Sequence, residues 1–586
     1  LSRWPWHDLG NYKYALVAPW AARSTYRFLT ATSGSGERDL LSFAVLPVLL
    51  LRLLRSQLWI SVSRHQTARS KHRIVSKSLD FEQVDRERSW DDQILPTALL
   101  FYVVNAAVPA AQGLPWWDSK GLVVAALLHA GPVEFLYYWL HRALHHHYLY
   151  ARYHSHHHAS IVTEPITSVI HPFAEEVVYF ALFAIPLLTV MGTGTGSVAL
   201  VPKMLFDVLP PLKYLMYTPS FHSLHHTQFR TNYSLFMPLY DYLYGTLDKS
   251  SDDLYERTLH GREEAPDVVH LTHLTTPDSV LHLRLGFASL AACSFATSRL
   301  RLRAAAPLAK LTSLLGSTFR AEANRLHKLN IETWVVPRYT SQYLSKDGLY
   351  AIGRLIEKAV TDAEASGARV LTLGLLNQAN ELNRTGELYV IRKPNLKIKI
   401  VDGTSLGRTK DVLFLGDASN KVVTVLALAL CEREIQVQMV DKDMYHCLTQ
   451  ELRPELHKHL LISSDYSCKV WLVGDKLTDQ EQRKAQAGVY LVPYSQFPPN
   501  AIREDCVYHS TPALVVPDSF ENLHACENWL PRRVMSARRA AGIVHALEKW
   551  DAHECGARVT GVDKAWRAAL AHGFRPYDRH GAAVAK

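Results

Sequence analysis

Residues 141–158 read HRALHHHYLYARYHSHHH and carry eight of the chain's 30 histidines. The run follows an apolar stretch ending in EFLYYWL, and a second cluster, His222-Ser-Leu-His225-His226, arrives after another apolar region. His141 and His145 are spaced i, i+4, which stacks two imidazoles on one side of a helix. His154, His157 and His158 form HX2HH, and His222, His225 and His226 repeat that pattern. Neutral imidazole is the commonest side-chain metal ligand, and clustered histidines beside a lipid-facing run are costly unless they hold something. Eight imidazoles in three boxes exceed what one tetrahedral zinc can use. They suit two metal ions, and such a nitrogen-rich pair fits oxygen-activating iron. His146, His147 and His156 fall off the spacings and are expected at the solvent or behind the ligands. His171, in VIHPFAE, is a further candidate ligand. A histidine-rich zinc store would have low-complexity, loop-forming neighbours; here the histidines are interleaved with Leu, Tyr and Ala at helical spacing. The implied class is a membrane-embedded, histidine-bound metal oxidase.

At 586 residues the chain is long enough for two or more domains. Hydrophobic content is 48%, and a mean hydropathy near zero averages a greasy first half with a polar second half. The net charge of +9 suits an anionic membrane surface as well as nucleic acid. With no zinc-finger spacing and no basic-aromatic RNA motif, nucleic acid is not an expected partner. Seven scattered cysteines form no CxxC pair, so reduced thiols facing a cytosol-like compartment are expected. The chain opens on Leu1, not Met, so residues are expected ahead of it. WPWHDLGNYKY has no cleavage pattern, and insertion is expected to use internal spans.

The apolar stretch 40–54 is short and is interrupted by Pro47 and Arg52, which reads as a marginal span or an interfacial helix. From Arg52 to Arg88 there are nine Lys/Arg against four acids, a cytosolic loop by the positive-inside rule. Residues 94–111 and 121–140 read as two spans joined by QGLPWWDSK, returning the chain to the cytosolic side at His141. Inside the second, His129 and Glu134 are expected to face protein, and Glu134 lies on about the same helical face as His141, a possible partner for it. From Glu332 onward short β-branched runs alternate with helices: ETWVVPRY, ARVLTLGLLN, LKIKIVDG, DVLFLGD, EIQVQMVD, KVWLVGD and VYLVPYS, with helices at 348–366, 421–431 and 534–550. That alternation predicts a doubly wound α/β domain. Gly416-Asp-Ala-Ser-Asn-Lys421 would be its phosphate loop and Asp441 its ribose-binding acid, although only one glycine is present and GxGxxG is absent.

HRALHHHYLYARYHSHHHAS, TSVIHPFAE and TPSFHSLHHTQFRTNYSLFMPLYDYLYGTLD resemble the fatty acid hydroxylase superfamily. With ENWLPRRVMSARRAAGIVHALEKWDAHECG near the end, the likeness covers almost the whole chain. Within the superfamily it is closest in kind to the plant eceriferum/glossy-type very-long-chain aldehyde decarbonylases. The resemblance implies an endoplasmic-reticulum enzyme that turns very-long-chain wax aldehydes into alkanes one carbon shorter. It also implies two irons on the histidine boxes, electrons from a cytochrome b5-type donor, and a homodimer or a hetero-oligomer with a related wax-synthesis subunit. One departure stands out: an apolar, histidine-bearing helix with an Asn-rich Gly-His motif, usual in the family before the third box, is absent after Met191. If residues 177–191 crossed fully, His222 and His141 would lie on opposite sides of the membrane. Either Pro186, Pro202, Pro210 and Pro211 turn the segment back as a re-entrant hairpin, or the chain is a shortened variant with a weakened site.

The expected organisation is an N-terminal region (1–93), a multi-span α-helical membrane domain with histidine boxes (94–250), an amphipathic linker (251–330), and a C-terminal α/β Rossmann-like domain (331–586). Two other readings use the same residues: a lipid or sterol hydroxylase, and an auxiliary subunit of an alkane-forming complex. A C-terminal domain that reduces acyl-CoA to aldehyde with NADPH is a further possibility.

Overall fold

The structure, a computed structural model, describes residues 4–31, 39–69, 73–75, 92–108, 118–159, 161–163, 171–193, 218–277, 279–283, 299–343, 349–374, 399–401, 412–415, 421–474, 478–493, 503, 505–508, 513–523, 527, 530–531, 533–554 and 561–577. The chain divides into two units, Leu1–Arg262 and Glu263–Lys586.

The first unit is helical. Its central element is the helix Ser119–Leu144, 26 residues, which at 1.5 Å per residue is about 39 Å long and exceeds a bilayer core of roughly 30 Å. Asp118 caps its start, accepting a hydrogen bond from Lys120 N at 3.0 Å. A π-helical turn, His129–Val133, takes in Pro132, which has no N–H to give to an α-helical ladder. Val123, Leu127, Phe135, Leu136 and Trp139 are exposed along this helix. Among the described residues it is the one helix long and apolar enough to cross a membrane. The other expected span is shorter than its apolar run suggested: the helix there is Ile94–Ala107, 14 residues, or about 21 Å. Residues 109–117, which include the expected linker tryptophans, lie outside the described residues. The stretch at 40–54 belongs to a longer helix, Leu40–Ala68, with Pro47 inside it. Pro186 does not end its helix, which runs unbroken over Phe173–Thr193. The remaining prolines of the expected hairpin lie outside the described residues.

The second unit is α/β. Its first sheet contains β1 (Val268–Leu274), β2 (Phe319–Leu326), β3 (Leu329–Tyr339), β4 (Val370–Leu373), β5 (Lys399–Val401) and β13 (Phe520–Glu521), in the order β13-β2-β3-β1-β4-β5. β3, β1, β4 and β5 are parallel, with Val268 opposite Ile331 and Val370, while β2 is antiparallel to β3. The second sheet contains β6 (Val412–Leu415), β7 (Val437–Met439), β8 (Leu460–Ile462), β9 (Val470–Val473), β10 (Tyr490–Pro493) and β11 (Val507–Tyr508). All its pairs are parallel in the order β11-β10-β9-β6-β7-β8, so the chain winds outward from β6 to β8, then crosses to β9 and winds out the other way. A small sheet joins β12 (Ala513–Val515) to β14 (Val534–Ser536) and β15 (Arg575–Pro576).

Two expectations are corrected here. The stretch 251–330, expected as a linker, contains β1, the buried strand between β3 and β4. A strand buried on both faces shows no polar alternation, and VVHLTHL hides two neutral histidines in it. The basic helix Arg299–Leu315, in the same stretch, packs Ala309 against Leu274, Val335 and Tyr339 of the sheet. The helix Ala537–Leu547 starts three residues later than expected because Val534–Ser536 pairs as a strand and Ser536 caps it. This helix lies closely on β4, and a Cβ at Gly542 would overlap the Thr372 methyl group.

Candidate metal centre

The three histidine boxes converge inside the first unit. His141 ends the Ser119–Leu144 helix and His145 follows one turn on, their rings 5.2 Å apart. A π turn, Tyr150–His154, and a 3-10 turn, His157–Ala159, bring the second box over them. The third box lies on the helix Pro219–Gln228, begun by Pro219 and closed by Phe229 in the left-handed region at φ 66°. Five histidines form one group, His141, His145, His154, His158 and His225; three form another, His157, His222 and His226. Within each group the potential ligand atoms lie within 4.8 Å of one another.

Hydrogen bonds behind the rings decide which nitrogen faces inward. His141 Nδ1 donates to Tyr233 O at 2.7 Å, and His225 Nδ1 donates to Thr231 O at 2.7 Å. A carbonyl can only accept, so these Nδ1 atoms carry the protons and both Nε2 atoms present lone pairs. His154 Nδ1 faces the Glu175 carboxylate at 2.7 Å, which assigns it in the same way. Yet the Nε2 atoms crowd together: His141 to His154 3.1 Å, His154 to His158 3.1 Å, and His158 to His225 3.2 Å. His141 and His154 thus face each other lone pair to lone pair, an arrangement that repels unless a positive charge sits between them. Nitrogens at neighbouring positions around a metal bound at about 2.1 Å lie roughly 3.0–3.4 Å apart, so this donor set fits a metal ion. Among the described residues the Nε2 of His145 and the Nδ1 of His158 have no hydrogen-bond partner although buried.

Burial, and then the neighbouring imidazoles, lower the pKa values of His154, His157 and His225 far below the ordinary histidine value, and that of His158 as well. Burial and His226 take His145 down to about 4. These rings are therefore neutral at physiological pH, the form that binds metal. His171 lies outside both groups among the described residues. Its ring stacks on His157 at 4.5 Å and its Nδ1 pairs with Glu176 at 3.0 Å. Burial opposes its charge, but Glu176 and Glu175 outweigh that and raise its pKa. His146, His147 and His156 are exposed, as their spacing predicts.

Glu134 faces protein, as expected, but its partner is not His141. Fully buried, it accepts from Leu235 N at 2.6 Å and Phe236 N at 3.0 Å. His129 packs on Phe236, ring centroids 5.5 Å apart. Sequence reading missed Glu175, Asn232 and Asp241; the available signal was the position of the acids in HPFAEE and PLYDY beside boxes two and three. In the second unit, Gly416 lies outside the described residues, and Lys421 opens the helix Lys421–Cys431. Asp441 caps the next helix, its carboxylate accepting from Asp443 N at 2.9 Å. A helix cap accounts for that carboxylate without a nucleotide.

The first unit is helical and presents three histidine boxes to one interior, and the family model described as fatty acid hydroxylase matches residues 126–246. The model described as CER1-like, C-terminal domain, matches residues 412–576. Among curated relatives, very-long-chain aldehyde decarbonylase GL1-6 of Oryza sativa subsp. japonica is 70% identical, covering 99% of this chain and 97% of its own. Very-long-chain aldehyde decarbonylase CER1 of Arabidopsis thaliana is 52% identical, with 98% of each chain covered. Protein CER1-like 2, also of Arabidopsis thaliana, is 47% identical with 98% of each covered. The chain belongs to the very-long-chain aldehyde decarbonylase family. The first of these alignments runs over 617 positions against a chain of 586 residues, so this chain lacks residues that its relative has. No solved structure matches.

Proposed function

We propose that this protein is an aldehyde decarbonylase that converts very-long-chain fatty aldehydes into alkanes one carbon shorter, as in cuticular wax formation. The observation that carries the reading is the convergence of inward-facing Nε2 lone pairs from all three boxes, in a chain of this family. His141, His145, His154, His158 and His225 would hold one iron, and His157, His222 and His226 a second. When bound, iron supplies one-electron chemistry toward dioxygen, with electrons from a cytochrome b5-type donor. The chain's own residues do the rest. Tyr233 O, Thr231 O and Glu175 hold the Nδ1 protons and so keep the Nε2 atoms bare. Tyr137, Leu140, Leu182, Phe183 and Leu235 belong to one apolar cluster, and Tyr137 packs it against His141 with ring centroids 5.2 Å apart.

The protein is read as an endoplasmic-reticulum membrane protein with more than one segment in the bilayer, assembling with itself or with a related wax-synthesis subunit. The third box meets the first two despite the missing segment, which favours an enzyme over an auxiliary subunit. In the second unit the parallel order β8-β7-β6-β9-β10-β11 supports reading it as a doubly wound Rossmann-like sheet, which would take NADPH between β6 and β9.

The test is product analysis with detergent-purified protein, ferrous iron, a cytochrome b5-type donor and a long-chain aldehyde. Alkane one carbon shorter, with about two irons per chain by elemental analysis, is the expected result. Hydroxylated lipid would favour the hydroxylase, and protein without iron would leave only the auxiliary subunit.

A further inference from the structure

The histidines that hold the two main-chain bonds, His141 and His225, depend on one short segment, residues 231–236, and that segment has no regular structure to fix it. It is held instead by buried side chains. Asp241, fully buried, accepts from Tyr233 N at 2.8 Å, from Ser234 N at 2.8 Å and from Thr246 Oγ1 at 2.6 Å. Asn232, in the left-handed region at φ 61°, donates to Phe221 O and accepts from Asp248 N. Glu134 secures the far end through Leu235 N and Phe236 N.

The N–H and C=O of one trans peptide are coplanar and point in opposite directions. Ser234 N–H and Tyr233 C=O belong to the same peptide. Drawing the N–H onto Asp241 therefore aims the carbonyl at His141. Asn232 N–H and Thr231 C=O share another peptide. That N–H donates to Thr246 O at 3.0 Å, and Thr246 is itself held by its hydroxyl on the Asp241 carboxylate at 2.6 Å and by its N–H on the Asp241 main-chain carbonyl at 2.8 Å. Each carbonyl that orients a histidine thus belongs to a peptide whose other end leads to Asp241, directly or through Thr246. We propose that Asp241 is a positioning residue for the metal centre, acting through these two peptide groups on the orientation and tautomer of His141 and His225. Its buried charge also polarises both peptides and strengthens their carbonyls as acceptors. The arrangement does for two histidines what a carboxylate bonded directly to a ligand histidine does for one.

This inference rests on the histidines holding a metal, and the experiment separates the two. Full-length protein in detergent is titrated with ferrous iron against a competing chelator, and with cobalt(II) for its ligand-field spectrum. In Asp241→Asn the amide can accept from only one of the two N–H groups. Ferrous affinity is expected to fall about 10- to 100-fold, and the cobalt spectrum at saturation to shift, a change that lost stability alone would not produce. Affinity within about twofold of wild type and an identical spectrum in folded Asp241→Asn would overturn the inference while leaving the metal site intact. If Asp241→Asn does not fold, Thr246→Val removes the hydroxyl contacts to Asp241 and to Tyr138 Oη, leaving the main-chain bonds of residues 231–236 in place. A shifted cobalt spectrum there supports the inference and an unchanged one overturns it. Wild-type protein that binds neither metal overturns both readings.

Discussion

Replacing His226 by alanine removes one of three imidazoles from the smaller histidine group, whereas replacing His225 removes one of five from the larger. Both side chains are fully buried, so each substitution leaves a comparable cavity. Four-ligand zinc sites bind with roughly 10–16 kcal/mol, or about 3–4 kcal/mol per ligand. On that scale a three-imidazole site sits near 10 kcal/mol, and losing one ligand raises its Kd by roughly 10²–10³, from about 0.1 μM to 10 μM or weaker. The five-imidazole site retains about 12 kcal/mol or more after the same loss. After dialysis against about 1 μM ferrous iron, His226→Ala should therefore hold about one iron and His225→Ala about two, as in the wild type. Elemental analysis with a protein assay reads the difference directly. Equal losses in the two variants would refute the division into a three-ligand and a five-ligand site. Loss of both irons in His226→Ala alone would show that the smaller group holds the larger one together.

Glu175→Leu removes the carboxylate that accepts from His154 Nδ1 and from Tyr179 Oη, both at 2.7 Å. Ferrous affinity should fall about 10- to 100-fold, measured by chelator competition, with the fold retained by circular dichroism. In the second unit, Gly542→Ala forces a Cβ into the Thr372 methyl group and should destabilise by about 1–3 kcal/mol. Adding Thr372→Ser, which deletes that methyl but keeps the hydroxyl bonded to His270, should restore most of the loss in a denaturant melt. Burial pushes His273 down to about 4, the hydrogen bond to Leu274 O only partly opposing it. The unfolded chain binds a proton below about pH 6.5 that the fold refuses. Stability is therefore whole above pH 6.5 and falls as pH drops toward 4, by about 1.4 kcal/mol per unit for this residue. The protection factor of Val268–Leu274, the ratio of intrinsic to observed exchange rate at each pH, should fall over that window, and less steeply in His273→Gln.

The histidine boxes and the α/β alternation of the second unit were legible in the sequence because both rest on short-range periodicity. His141/His145 and the two HX2HH boxes are helix-spaced, and VLFL, VWLV and YLVP announce strands by composition alone. The strand VVHLTHL was not legible, since burial on both faces erases the alternation that marks a half-exposed strand. The same local reading overstated the membrane segments: apolarity over 94–111 predicts a span, but the helix stops at Ala107. Spacing could assemble each box but not the boxes with one another. Whether His225 reached His158 across 67 residues depended on how the chain returns after Thr193, and only the folded unit answers that. Tautomers belong to the same category. Which nitrogen of His141 faces inward is settled by Tyr233 O, 92 residues away, and that carbonyl is aimed by Asp241. The sequence by itself determined which side chains can bind metal, because that is a property of the residues and their helical spacing. Only the tertiary structure decided which lone pairs meet, because Tyr233 O and Glu175, from other segments, set the orientation of His141 and His154.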